Sequence, residues 1–143
     1  MKTFFVEIIT PLRRAYSADA DSVCVPTAMG TTGVLAHHMP LFTSLTSGEV
    51  KIIQGNKEYL LVIGGGFMQV VGNHVSILVS RAVHADELNE AEIGKAQKEA
   101  KEALSRRIQG DAFIQAQSIL RRSSLELKIL RRHKSRRQSP AVS

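Results

Sequence analysis

The chain has 143 residues, 43% of them hydrophobic, with no tryptophan, five phenylalanines and two tyrosines, so one ordinary core must be packed mainly with Val, Ile, Leu and Ala. The single cysteine, Cys24, excludes a disulfide framework within one chain and fits a reducing compartment; sitting in an apolar run, it reads as a small buried hydrophobe. The net charge of +6 is uneven: residues 1–85 carry six Lys/Arg against five Asp/Glu, residues 86–120 five against seven, and residues 121–143 eight against one, which argues against a basic nucleic-acid-binding face on the N-terminal part.

Up to His84 the periodicity is that of short strands. Phe4, Val6 and Ile8 alternate with Thr3, Phe5 and Glu7 until Thr10-Pro11 ends the run, because proline cannot donate to a ladder. Further strands are expected at 22–25, 50–54, 58–63, 67–71 and 75–80. The stretch from Gly30 to Thr46 reads as a glycine-hinged surface loop running into a buried strand. Gly55-Asn56 and Gly72-Asn73 each stand between apolar runs and suit tight hairpins with positive φ. Many short strands with turn signals between them predict a closed or two-layer antiparallel sheet.

Beyond His84 the period becomes helical. Asn89-Glu90-Ala91-Glu92 forms a capping-box variant, and Ile93, Ala96, Ala100, Ala103, Leu104 and Ile108 recur at three and four residues. Gly94 weakens this helix by roughly 1 kcal/mol relative to alanine. Gly110-Asp111 reads as a stop and a new N-cap, followed by a stripe of Phe113, Ala116, Leu120, Leu127 and Leu130 that Ser123 interrupts. The expected fold is therefore β + α: an N-terminal antiparallel β-sandwich over 1–85, a C-terminal antiparallel two-helix hairpin over 86–134, and a basic disordered tail over 135–143. Its alanine-lined seam buries little, which makes the hairpin marginal alone. Either it packs statically, or it opens and packs elsewhere as a switch element.

Little in the sequence points to chemistry. His37, His38, His74, His84 and His133 stand in no metal-ligand spacing with Cys or carboxylates. Gly64-Gly65-Gly66 is followed by a strand pattern, whereas a phosphate loop opens a helix; close backbone approach or a bulge is the expected role. No apolar run approaches the roughly 20 residues of a spanning helix. Glu7 breaks the first apolar stretch and no cleavage site follows, so the expectation is a soluble, cytoplasmic, non-catalytic protein without signal peptide, metal or cofactor.

Three segments carry a family resemblance. Val23-Cys24-Val25-Pro26, then Gly30-Thr31-Thr32-Gly33-Val34 through His38-Met39-Pro40-Leu41, then Gly64-Gly65-Gly66-Phe67-Met68-Gln69-Val70 resemble, in order and spacing, the epsilon subunit of the F-type ATP synthase, bacterial or plastid type. The resemblance implies a non-catalytic central-stalk subunit that contacts the gamma subunit and the c-ring, restrains ATP hydrolysis through its C-terminal helices against the alpha/beta head, and lies peripherally on the cytoplasmic face of the inner (plasma) membrane or on a plastid thylakoid. It assigns Gly30, Thr31, Thr32 and Gly33 to a tip facing the ring, with Thr31 where the family has an acid, and gives His38 either loop packing or contact with gamma. Some members bind ATP through Leu/Ile-Asp-x-x-Arg-Ala; here Leu88, Asn89, Glu92 and Ile93 match it in degraded form, and Glu92 in place of Arg implies no tight ATP binding. By the same resemblance Arg121, Arg122, Arg131 and Arg132 face an acidic segment of the beta subunit in the inhibitory state; a solvated helix face is the plainer alternative. A small β domain binding nucleic acid through an arginine-rich helix is the competing reading.

Overall fold

The computed structural model describes residues 3–138, with side chains through His133. The chain divides into two compact units between Ala85 and Asp86.

The first unit holds ten strands: β1 (Phe4–Ile9), β2 (Arg14–Ala20), β3 (Ser22–Thr27), β4 (Gly30–Leu35), β5 (Leu41–Leu45), β6 (Gly48–Gln54), β7 (Lys57–Ile63), β8 (Gly66–Val71), β9 (His74–Val79) and β10 (Ala82–His84). The hydrogen-bonded order is β10-β7-β6-β3-β5-β8-β9-β1-β2, with β4 paired to β3. β3 and β5 share one residue pair, Thr27 with Leu45, and this corner separates the two layers of a β-sandwich. Period-2 alternation sends Phe4, Val6 and Ile8 inward from β1, Val50 and Ile52 from β6, Met68 and Val70 from β8, and Val75, Ile77 and Val79 from β9, all buried in one core. Each fully buried aliphatic side chain contributes about 1.5–3 kcal/mol.

Both Gly-Asn connections are tight hairpins, and Gly55 and Gly72 take φ of 60° and 59°. A side chain at the first central position of such a turn would be strained. Gly66 has a different reason: a Cβ there would sit 2.0 Å from the Leu78 carbonyl oxygen, so β8 and β9 approach too closely for any side chain.

Several expectations need correcting. Gly30-Thr31-Thr32-Gly33 is not a loop tip but the start of β4, with Thr31 opposite Pro26, Thr32 opposite Val25 and Gly33 opposite Cys24; the turn is one step earlier, at Ala28-Met29. The strand that follows, β5, is buried on one face only, and its Phe42 is exposed. Cys24 is half-buried, facing away from the core. One ladder, β1 with β9, is parallel, whereas every other pairing is antiparallel among the described residues.

The second unit begins at Asp86, within a short 3₁₀ turn (Ala85–Glu87), and contains α1 (Glu90–Ser105) and α2 (Asp111–Gln138). Gln97 donates to Ser124 while Asp86 pairs with His133, so contacts descend α2 as they ascend α1 and the helices run antiparallel. Ile93, Leu127 and Leu130, with Leu88 against them, form the apolar cluster between them. α1 stops at Ser105, and Arg107 rather than a glycine takes the left-handed conformation after it, with φ of 56°. Gly110, not Asp111, is the N-cap of α2: its carbonyl accepts from the Ile114 N–H. Ser123 does not split the stripe, because its hydroxyl is buried and donates to the Ile119 and Leu120 carbonyls. α2 is helical through Gln138, and residues 139–143 of the expected tail lie outside the described part.

Candidate functional site

The outer face of the β5-β8-β9-β1 layer is the most unusual surface of the sandwich. Its register sets out three rows: Ser44, Phe67, Leu78 and Ile9; then Phe42, Gln69, Ser76 and Glu7; then Val71, His74 and Phe5. Phe42 is 68% exposed, Val71 56%, Phe67 51% and Leu78 50%. The Phe42 and Phe67 rings stack at 5.6 Å with 19° between planes. At about 4.8 Å per strand and about 6.8 Å per row, the outermost positions of the grid lie roughly 14 Å apart each way. Exposed apolar patches larger than a few hundred Å² are the ones that mark interaction sites, and stacked, half-exposed aromatic rings are unusual on a solvated sheet face.

Within this apolar frame lies a polar centre. Glu7 accepts from His74 Nε2 at 2.9 Å and from the Ser76 hydroxyl at 3.3 Å, and Arg14 stands 3.8 Å from its other oxygen. The Phe5 ring packs on His74 at 5.0 Å, and Gln69, Val71, His74 and Ser76 line an open recess of about 370 Å³. The hydrogen bond from His74, which outweighs the opposing cost of burial, holds the Glu7 carboxyl below its ordinary value of 4.5. A depressed carboxyl pKa adds stability above the unfolded value and loses it as pH falls through the folded one. Thermal unfolding followed from pH 7 to pH 3 is therefore expected to show a steeper loss below about pH 4.5 in the parent than in Glu7→Gln; parallel curves would remove Glu7 from the acid response. Beneath the sheet, burial raises the Tyr16 phenol above its ordinary value, helped by Tyr59 and Asp19.

The residues expected from sequence fall elsewhere. Thr31, Thr32 and Gly33 sit on β4, paired to β3. His38 is half-buried, and its Nδ1 hydrogen-bonds the Met39 carbonyl at 2.8 Å, a contact that shapes its own loop. Asn89 is the α1 N-cap, accepting from the Ala91 and Glu92 N–H groups at 3.0 and 3.2 Å. Ile93 is buried with Leu88 against its cluster, so the residues matching the nucleotide motif cap and pack the hairpin. Arg121, Arg122, Arg131 and Arg132 are exposed on α2, and Arg122 Nε lies 3.8 Å from the buried Glu126. Among the described residues no group of three His, Cys, Asp or Glu could hold a metal ion, and no helix is long and apolar enough to cross a membrane.

Sequence reading missed the apolar face, although a signal was present. Phe67-Met68, Ile77-Leu78 and Leu41-Phe42 place large apolar residues on both phases of a strand, and a strand with one solvated face should not.

Comparison with known proteins resolves the kinship. The family model for the ATP synthase Delta/Epsilon chain, beta-sandwich domain, matches residues 3–85. The chain belongs to the ATP synthase delta/epsilon family. A relative named ATP synthase epsilon chain from Chloroflexus aggregans is 38% identical over 135 residues, covering 94% of this chain and 97% of its own. Another of that name, from Dehalococcoides mccartyi, is 33% identical over 138 residues, covering 96% of each. A chain in the Euglena gracilis mitochondrial ATP synthase, solved as OSCP/F1/c-ring, has the same fold, with a TM-score of 0.66 and 20% identity, covering 93% of this chain and 80% of that one. The sandwich and the two helices are thus those of an epsilon chain.

Proposed function

We propose that this chain is the non-catalytic rotor subunit of the central stalk of a proton-translocating F-type ATP synthase. Its sandwich docks on the gamma subunit and the c-ring, passing rotation between ring and catalytic head. Its C-terminal helices restrain ATP hydrolysis against the alpha/beta head. The assembly holds it peripherally on the cytoplasmic side of the membrane. The observation that carries the reading is the exposed Phe42–Phe67–Leu78 face, which suits a flat, permanent protein partner such as gamma; in stable interfaces aromatic anchors supply most of the affinity.

The same rings also resemble a stacking platform for bases. Against that, Glu7 stands at the β1 end of the middle row with Arg14 beside it, and the sandwich has six basic residues to five acidic, which gives no phosphate track.

The test is ATPase activity of an alpha-beta-gamma complex with the full chain, with a version ending at His84, and with Phe42→Asp/Phe67→Asp. The full chain should bind and inhibit, and the truncation should bind without inhibiting. The double variant should bind about 100-fold more weakly, two aromatic anchors at roughly 2 kcal/mol each being more than sufficient. Failure of both the full chain and the truncation to bind would reject the rotor reading.

A further inference from the structure

Glu7 lies on β1 between Phe5 and Ile9, with Ser76 of β9 and Ser17 of β2 as its cross-strand neighbours. A carboxylate offers about four acceptor positions on its two oxygens, and here they are filled unevenly. Oε1 takes both His74 Nε2, at 2.9 Å, and the Ser76 hydroxyl, at 3.3 Å. Among the described residues Oε2 faces only Arg14 Nη2, at 3.8 Å, which is beyond hydrogen-bond length. The bond from His74 keeps the carboxyl below its ordinary value, so the group is charged at neutral pH.

The Glu7 side chain is 15% exposed, whereas Phe42, Phe67, Val71 and Leu78 of the same face are half-exposed or more. A partner lying flat on those apolar residues closes over Glu7 as well. An ionised oxygen stripped of water with no donor in exchange is strongly destabilising, so a partner fitted to this face brings a donor of its own. Charge selects the kind of donor. Arg14 already stands against Oε2, and a second cation brought there would be repelled by that guanidinium; a hydroxyl or an amide meets no such opposition. The recess lined by Gln69, Val71, His74 and Ser76 includes both residues bonded to Glu7 and leaves room for a short side chain to reach in.

We infer that Glu7 Oε2 is the specificity point of this face, a socket for one neutral hydrogen-bond donor, a Ser or Thr hydroxyl or an Asn or Gln amide, carried by the gamma subunit. The inference rests on the rotor reading above and deepens it. Phe42, Phe67 and Leu78 supply affinity for any flat apolar surface, while Glu7 rejects surfaces that bring no donor. Such discrimination is large, because the wrong partner leaves a buried polar group unpaired.

The experiment measures the dissociation constant of the full chain from the alpha-beta-gamma complex for the parent, Glu7→Met, Glu7→Gln and Glu58→Gln, with the melting temperature of each chain alone. Glu58, ion-paired to Lys51 on the other layer, is the control and should bind like the parent. Glu7→Met fills similar space without an acceptor and orphans the donor of gamma, so affinity should fall at least about tenfold. If gamma brought no donor the sign would reverse: methionine would remove a charge that docking buries, and binding as tight as the parent's or tighter would overturn the inference. Glu7→Gln keeps a carbonyl oxygen for a neutral donor and should lose only about threefold, with little dependence on salt. A loss equal to that of Glu7→Met, with parent affinity falling steeply as salt rises, would overturn the neutral donor in favour of a cation. Both Glu7 variants give up the ionised partner of His74, so a purely structural role would lower their melting temperatures and affinities alike and would not separate them. Failure of the parent itself to bind alpha-beta-gamma would reject the rotor reading, whereas a parent that binds beside an equally tight Glu7→Met rejects the socket alone.

Discussion

Gly66→Ala is expected to destabilise the sandwich by at least about 3 kcal/mol, the upper end of the usual cost of overpacking. The alanine methyl would lie 2.0 Å from the Leu78 oxygen, 2.7 Å from the Val79 Cα and 2.9 Å from the Leu78 carbonyl carbon. All three are backbone atoms, so no rotamer change relieves the clash; β8 and β9 must part. That movement would disturb two surfaces at once, because Met68 and Ile77 face the core while Phe67 and Leu78 face solvent from the same pairs. For a unit of this size the loss corresponds to roughly 12 °C or more in Tm. Gly65→Ala is the control: its methyl would meet only the Leu45 carbonyl oxygen, at 3.4 Å, so its melting temperature should move little. Calorimetry of both variants checks the argument, and equal melting temperatures would refute the close-approach account of the glycine run.

The same strands show where sequence reasoning reaches and where it stops. β1, β3 and β6–β9 announce themselves by short runs of apolar residues rich in Val, Ile, Leu and Phe, and the Gly-Asn hairpins by a turn chemistry few other pairs satisfy. β2 does not, because its inward positions include Ala15 and Ala20, which give little contrast against Ser17 and Asp19. β4 has the composition of a loop, Gly-Thr-Thr-Gly, and becomes a strand only through its ladder with β3; tertiary pairing overrides local preference here. The parallel β1–β9 ladder joins segments nearly seventy residues apart, a relation no local window contains. In α2 the stripe through Ala116, Leu127 and Leu130 was legible, but Glu126 and Ile129, 4% and 0% exposed, lie off it. The exposed apolar face is hidden for a related reason: exposed Phe67 and buried Met68 are equally apolar, so only the register tells them apart.

If the C-terminal helices restrain hydrolysis through charge, replacing Arg121, Arg122, Arg131 and Arg132 together with alanine should raise the ATPase activity of the complex about tenfold toward that of the chain ending at His84. Four exposed ion pairs at roughly 0.2–1 kcal/mol each could supply that much. On a helix of 3.6 residues per turn, Arg121, Lys128 and Arg132 share one face and Arg122 and Arg131 flank it, so the set presents a broad cationic surface to an acidic partner. Inhibition by the parent chain should weaken between about 0.05 and 0.3 M salt, as the Debye length falls through about 8 Å near 0.15 M. Arg122 needs separate treatment, because its guanidinium lies beside the buried Glu126, and its loss also weakens the hairpin itself. A four-lysine variant separates the two effects. It keeps the charge, so it should inhibit nearly as well as the parent if charge is the agent, whereas a requirement for bidentate geometry would leave it closer to the alanine variant. Unchanged hydrolysis in the alanine variant, with inhibition indifferent to salt, would leave these arginines as a solvated helix face.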